Sequence, residues 1–269
     1  MLTRIDHVMI CVPDLARGMD DYARIGFSIH PGGVHPGKGT HNAIAFNQAD
    51  YVELLAIRDR SECRSASAWQ GLIEFIEAGG GLRYIVLQSD DLDVDVAAMR
   101  SRGVDVGDAA EGSRRTPAGL ELRWKAAVLG KRDPLPLFFI EHLTPLEARR
   151  RQVPETEHPN GVTRVERAYI AVPDLAASVP AYSRVLGIPP RMERGTAINA
   201  DTAVFQLGAN GLVVAQPVGP GVAADALKRR GPGPFQILYR TASMDAGERA
   251  MLVPPELAGG VYLELLGSG

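Results

Sequence analysis

The stretch "VPDLARGMDDYARIGF" (residues 12–27) returns as "VPDLAASVPAYSRVLGI" (172–188). In both, VPDLA is followed by a tyrosine, an arginine two residues later, and then a glycine. "DDLDVDVAAMRSRGVDV" (90–106) repeats the skeleton more weakly. Leu15, Met19 and Tyr22 precede Gly26; Leu92, Val96 and Met99 precede Gly103; Leu175, Val179 and Tyr182 precede Gly187. This i, i+4, i+7 spacing puts three apolar side chains on one face of a short helix. Asp14, Asp91 and Asp174 stand near the starts, and the glycines supply the stops. A helix starting after Ser178 would place Pro180 in its first turn, where the missing N–H is harmless.

Strand-like runs precede each helix: "RIDHVMICV", "LRYIVLQS" and "VERAYIAV". Shorter strand-like pieces follow, so the unit is β-α-β-β-β with a repeat of roughly 80 residues, longer than solenoid repeats. A fourth, degenerate copy fits "PFQILYRTAS" (234–243) and "VYLELLG" (261–267), its helix shortened or lost. "QVPETEHPNGVT" (152–163) is the best boundary, dividing the chain into halves 1–150 and 151–269. "SASAWQGLIEFIEAGGG" predicts a connecting helix with Trp69, Leu72, Ile73 and Ile76 on one face.

The composition, 45% apolar and 23% charged over 269 residues, is that of an ordinary soluble globular protein. A net charge of -3 argues against a nucleic-acid binder. No apolar run reaches the length of a membrane span, and "MLTRIDHVMICV" lacks a signal-peptide pattern, so a cytoplasmic protein is expected. Two cysteines, Cys11 and Cys63, make no disulfide framework.

Four βαβββ units with VPDL after the first strand resemble the vicinal-oxygen-chelate superfamily of glyoxalases, bleomycin-resistance proteins and extradiol dioxygenases. "HPGGVHPGKGTHNAIAF" followed by "YVELLAI" is similar to its glyoxalase-like branch. The resemblance implies an α+β fold in which pairs of βαβββ modules form two cupped, barrel-like sheets with helices outside. It also implies metal ligands from the first and last strands of each unit. Whether units one and two pair within the chain or across a homodimer is left open.

Aligned on PDL or DDL, the first strands place His7, Tyr84 and Arg167 in register, with Gln236 in the fourth unit. The last strands "YVELL", "FIEHL" and "YLELL" align Glu53, Glu141 and Glu264, while unit three has valine there. A carboxylate inside an apolar strand is costly unless paired or liganded. The implied metal set of the first half is therefore His7, Glu53 and Glu141, a hard N/O set suited to a divalent ion such as Zn, Ni, Mn or Fe. Tyr84 stands where a full metal site would carry a fourth donor; it either contacts substrate or fills the core. Arg167, Gln236 and Glu264 suit an ion pair better than a cation site.

Alternation on the first strand puts Ile5, His7, Met9 and Cys11 on one face. Alternation elsewhere turns Arg123 and Lys125 toward the cavity or its rim, and His41 inward with Ala43 and Ala45. These cations would suit an anionic substrate, or form a solvated rim. "PGGVHPGKGTHN" (31–42) leads into a strand and is not a phosphate loop; it is either a lid bearing His35, Lys38 and His41 or a cluster of turns. "ARRRQ" (148–152) reads as a solvated charge run, Cys11 as a buried thiol, and His142 as facing the helix side. The resemblance implies a metal-dependent lyase or isomerase acting on a small anionic carbonyl or hydroxy compound, with Glu53, Glu141 or His41 moving a proton and Tyr84, Arg123 and Lys125 binding substrate. A non-catalytic sequestration protein is the alternative; a ring-cleaving dioxygenase fits less well.

Overall fold

A computed structural model describes residues 1–66, 71–116, 119–245 and 248–268. Unit one runs β1 (Leu2–Cys11), α1 (Leu15–Ile25), β2 (His30–His35), β3 (Thr40–Phe46) and β4 (Tyr51–Ile57). Two short helices, α2 (Arg60–Ser65) and α3 (Leu72–Glu77), lead to unit two: β5 (Gly81–Ser89), α4 (Leu92–Ser101), β6 (Ala110–Arg115), β7 (Glu121–Val128) and β8 (Leu137–His142). After α5 (Leu146–Arg150) come β9 (Val162–Ala171), α6 (Leu175–Leu186), β10 (Arg191–Gly195), β11 (Ala200–Leu207) and β12 (Asn210–Pro217). Helix α7 (Val222–Arg230) precedes unit four, which is β13 (Gly233–Thr241), β14 (Arg249–Val253) and β15 (Tyr262–Gly267), with no helix between β13 and β14 among the described residues.

Units one and two form one eight-stranded sheet in the order β2-β3-β4-β1-β5-β8-β7-β6; units three and four form a seven-stranded sheet, β10-β11-β12-β9-β13-β15-β14. Both sheets are mixed, with each first strand parallel to the last strand of its unit and antiparallel to the neighbouring first strand. The ends of the first sheet approach each other, because Arg114 of β6 donates from Nη1 to the carbonyl of Gly32 on β2. Units one and two therefore pair within the chain.

The helix signals act as read. Asp14, Asp91 and Asp174 each accept a hydrogen bond from the third residue on, at Arg17, Val94 and Ala177. Gly26 and Gly187 end α1 and α6 in the left-handed region. Helix α6 begins at Leu175 rather than after Ser178, so Pro180 lies inside it; the Asp174 cap fixes the earlier start. Within the expected connecting helix the described helical part is α3, and α2 precedes it; Leu72, Ile73 and Ile76 are buried against Met9, Cys11 and Leu55, while Trp69 lies outside the described residues.

The helix-bearing faces of both sheets share a single core that includes Val8, Ile10, Tyr22, Leu92, Ile170 and Tyr182. The halves are also clasped symmetrically. Asp50, just before β4, accepts from the backbone N–H of Val165, and Asn210, at the start of β12, accepts from that of Ile5 at 3.1 Å. Among the described residues, no helix is long and apolar enough to cross a membrane.

One irregularity places the functional side chains. The antiparallel pairings of first strands skip residues: besides Thr3 and Thr163 near the strand starts, these are Asp6 on β1, Arg83 on β5, Glu166 on β9 and Phe235 on β13. Each of the latter four directly precedes an aligned position, namely His7, Tyr84, Arg167 or Gln236. A β-bulge adds one residue to a strand and re-aims its neighbours. The bulge reverses parity, so Ile5 joins Val8 and Ile10 in the helix-side core instead of sharing the His7 face. Asp6 and His7, consecutive in sequence, bond to each other.

Candidate functional site

The cup of the first sheet opens into a cavity of about 1030 Å³ lined by His7, Asn42, Tyr51, Glu53, Tyr84 and Phe138, among others. His7 and Glu53 converge as expected: Nε2 of His7 lies 3.4 Å from Oε2 of Glu53. Both are almost wholly buried, at 3% and 5% exposure. Met9 is the register partner of Glu53, which sets the carboxylate two residues along β1 from His7. His7 is stacked on Tyr51 with ring centroids 4.3 Å apart.

Of the groups that hold this pair, the sequence singled out His35, on the 31–42 segment, but not Asp6 or Asn42. Asp6 Oδ1 bonds His7 Nδ1 at 2.7 Å, and its Oδ2 bonds His142 Nε2 at 2.9 Å. Asn42 donates from Nδ2 to Glu53 Oε1 at 2.6 Å. His35 Nε2 lies 3.8 Å from the same oxygen. Gly32 permits the Asn42 placement, since a Cβ there would meet the Asn42 amide oxygen at 2.3 Å. The signal for Asp6 was its place beside His7, but simple alternation assigned it to the opposite face.

These contacts set the charges. Burial by itself would raise the Glu53 carboxyl, but the hydrogen bond and charge of His7, with help from His35 and Asn42, pull it down to about 2. Burial would lower His7, yet its hydrogen bonds and charge attraction to Asp6 and Glu53 raise it above the ordinary imidazole value. Asp6 also resists the upward push of burial and sits well below the usual carboxylate range, held by His142 and His7. His35 goes the other way: burial drops it to about 4 despite Glu53. The result is an imidazolium between two carboxylates, with a neutral histidine alongside.

The other expected residues are placed differently. Glu141 is not in the cup: Oε2 accepts from the Leu92 N–H at the start of α4, 2.9 Å away, and lies 3.9 Å from Lys125 Nζ. The register explains why. Glu53 pairs with Met9, two residues after His7; the counterpart two residues after Tyr84 is Val86, and its partner is Phe138. Phe138, not Glu141, therefore occupies the position in unit two that matches Glu53. The same count gives Val213 and Glu264 in units three and four.

Strand parity also reverses the reading of β3, β7 and β8. His41 pairs with Ala56 and lies on the helix side, while Asn42 and Ile44 turn toward Glu53. Arg123 bonds Glu111 and is exposed, and Lys125 bonds Asp93, so neither lines the cavity; Leu122, Trp124 and Ala126 do. His142 faces the cavity and Glu141 the helix. Tyr84 lines the cavity as expected, edge-on to Phe138 with centroids 5.6 Å apart. The segment 31–42 is a hairpin rather than a lid: His35 Nδ1 bonds Thr40 Oγ1 at 2.9 Å across its turn. Gly39 (φ 64°) is required there, because a Cβ would lie 2.2 Å from the Asp59 carbonyl.

These donors do not form the expected metal site. Of the four ligand positions in the first cup, two carry His7 and Glu53, and two carry the aromatic side chains of Tyr84 and Phe138. Among the described residues, no group of three or more His, Cys, Asp or Glu side chains is disposed to hold a metal ion. The second cup is filled: Ala223 and Ala226 of α7 pack into it against Tyr169, Val213 and Phe235. There Gln236 donates to Glu264 at 2.9 Å, and Arg167 pairs with Glu193.

The βαβββ units, the cup and the paired first strands agree with the comparisons to known proteins. The chain belongs to the Glyoxalase-like domain family, whose profile matches residues 5–186, and so to the vicinal-oxygen-chelate superfamily. A hypothetical protein from Staphylococcus aureus has a similar structure, with TM-score 0.74 at 13% identity over 99% of this chain and 100% of that one. A mutant 4-hydroxymandelate synthase from Streptomyces coelicolor aligns with TM-score 0.62 at 12% identity, covering 99% and 92% of the two chains. Methylmalonyl-CoA epimerase from the same organism covers 54% of this chain and 100% of its own, at 24% identity and TM-score 0.42. No curated protein matches the chain.

Proposed function

We propose that this protein is an enzyme that moves a proton beside the carbonyl of a small organic acid, with Glu53 as base and His7 as acid. The observation that carries the reading is the buried line Asp6–His7–Glu53 at the wall of the cavity. Asn42 occupies Oε1 of Glu53, and Oε2, 3.4 Å from His7 Nε2, takes the proton from carbon once the substrate enters between the two side chains. His7, held by Asp6 at Nδ1, presents Nε2–H to the carbonyl oxygen and stabilises the enolate that forms. Both groups are held by neighbours and shielded from bulk water, which strengthens their charge interaction with a developing enolate. Returning the proton to the same or a neighbouring carbon gives epimerisation or isomerisation.

The size and aromatic lining of the cavity, with Trp124, Tyr84 and Phe138, favour a second reading, in which the cup sequesters a larger apolar ligand unchanged. Proton NMR in D₂O separates the two. A panel of 2-oxo and 2-hydroxy acids incubated with chelator-treated protein should take up deuterium next to the carbonyl. Acids that bind without exchange leave only sequestration.

A further inference from the structure

Two guanidiniums are buried in the wall of the first cup, and they differ in how they are satisfied. Arg114 donates from Nη1 to the Gly32 carbonyl and from Nη2 to Gln152 Oε1. Arg149, on α5, is 4% exposed and lines the cavity, yet its Nε and Nη1 are sealed from solvent with no hydrogen-bond partner. Its ion-pair neighbour, Asp6 Oδ2, is 3.9 Å from Nη1 and already bonded to His142. An unpaired buried donor costs about 1–3 kcal/mol, and more when charged. Arginine cannot escape that cost by losing its proton. Its position in "ARRRQ" gave no hint of this, since sequence presents it as one of several solvated charges.

We propose that Arg149 is the carboxylate anchor of the first cup: a monoanionic small organic acid binds with its carboxylate against the cavity-lining part of the Arg149 guanidinium, whose Nε and Nη1 have no other hydrogen-bond partner, and with its remainder directed toward His7 and Glu53. Asp6 explains the preference for one negative charge, because a phosphate dianion would place a second charge near the Asp6 carboxylate. The direction of the ligand rests on the proton-transfer reading; the anchor itself rests on the burial and unmet donors of Arg149.

Titration calorimetry on the full chain, with phenylpyruvate, its neutral methyl ester and inorganic phosphate as probes, tests the anchor. The wild type should bind the acid at least tenfold more tightly than the ester or phosphate. Arg149→Gln should lose at least tenfold for the acid and leave the ester unchanged, with Arg149→Lys in between. If Arg149→Gln does not fold, Arg149→Lys must show the selective loss of acid binding. No acid binding by the wild type, tighter binding of phosphate, or unchanged acid affinity in the variants overturns the proposal. Acid bound through Arg149 without deuterium uptake sinks the catalytic reading alone; uptake with unchanged affinity in the variants sinks the anchor alone.

Discussion

His7 Nε2 stands 3.4 Å from Glu53 Oε2, while Asp6 holds the opposite ring nitrogen at 2.7 Å. The pair is the acid and base of the proposed reaction, and Glu53→Gln removes only the base. General base catalysis contributes roughly 10²–10⁴-fold, so deuterium uptake by a responsive acid should fall by that factor in Glu53→Gln. Uptake within threefold of wild type would remove Glu53 from the chemistry.

Tyr84 and Phe138 occupy two of the four ligand positions, so the wild type should bind less than one equivalent of Zn, Ni, Mn or Fe after dialysis, measured by plasma mass spectrometry. The double substitution Tyr84→His with Phe138→Glu adds two donors beside His7 and Glu53 and should raise zinc occupancy toward one per chain. Stoichiometric metal in the wild type would contradict the donor argument.

Glu141 caps α4 through the Leu92 N–H. Glu141→Ala should therefore cost about 1 kcal/mol of stability, the usual worth of a lost cap, and leave deuterium uptake unchanged. A tenfold loss of uptake with an unchanged melting temperature would return Glu141 to the active site.

His158 accepts the Ser28 N–H at Nδ1 and donates from Nε2 to Asn47 Oδ1, so its geometry specifies the neutral ring. Burial, together with the nearby His30, lowers it from 6.5 to about 4. A depressed folded value means that its stabilising effect is complete above pH 6.5 and declines as pH falls toward 4. Melting temperatures of the wild type should fall across that window more steeply than those of His158→Gln. Parallel profiles would show that His158 is not the sensor.

Asn210 joins the halves through Ile5 N and Val165 O, and both bonds are buried. Asn210→Ala strands two backbone groups, each costing about 1–3 kcal/mol. Calorimetry should show one transition at lower temperature, because the halves share a core. Two separated transitions would show that the halves unfold independently.

Much of the framework can be read directly from the residues. VPDL and its echoes mark the repeat, the aspartates mark the helix starts, and the offset from them aligns His7, Tyr84, Arg167 and Gln236. The convergence of Glu53 with His7 follows from that alignment together with the implied side-by-side placement of first and last strands. These features are local or periodic, so a single sequence carries them. Tertiary structure decided which way the side chains point. Alternation groups residues by face but does not say which face is the cup, and β7 has plausible candidates on both sides. The bulge at Asp6 inserts a residue that alternation cannot register, turning a helix-side aspartate into the partner of His7. Glu141 matched Glu53 in residue type but not in distance along its strand, and only the β5–β8 pairing reveals Phe138 in its place. Arg149 looked like solvent-facing charge until α5 folded it against the cup, because burial is a property of what surrounds a side chain and not of the residue itself.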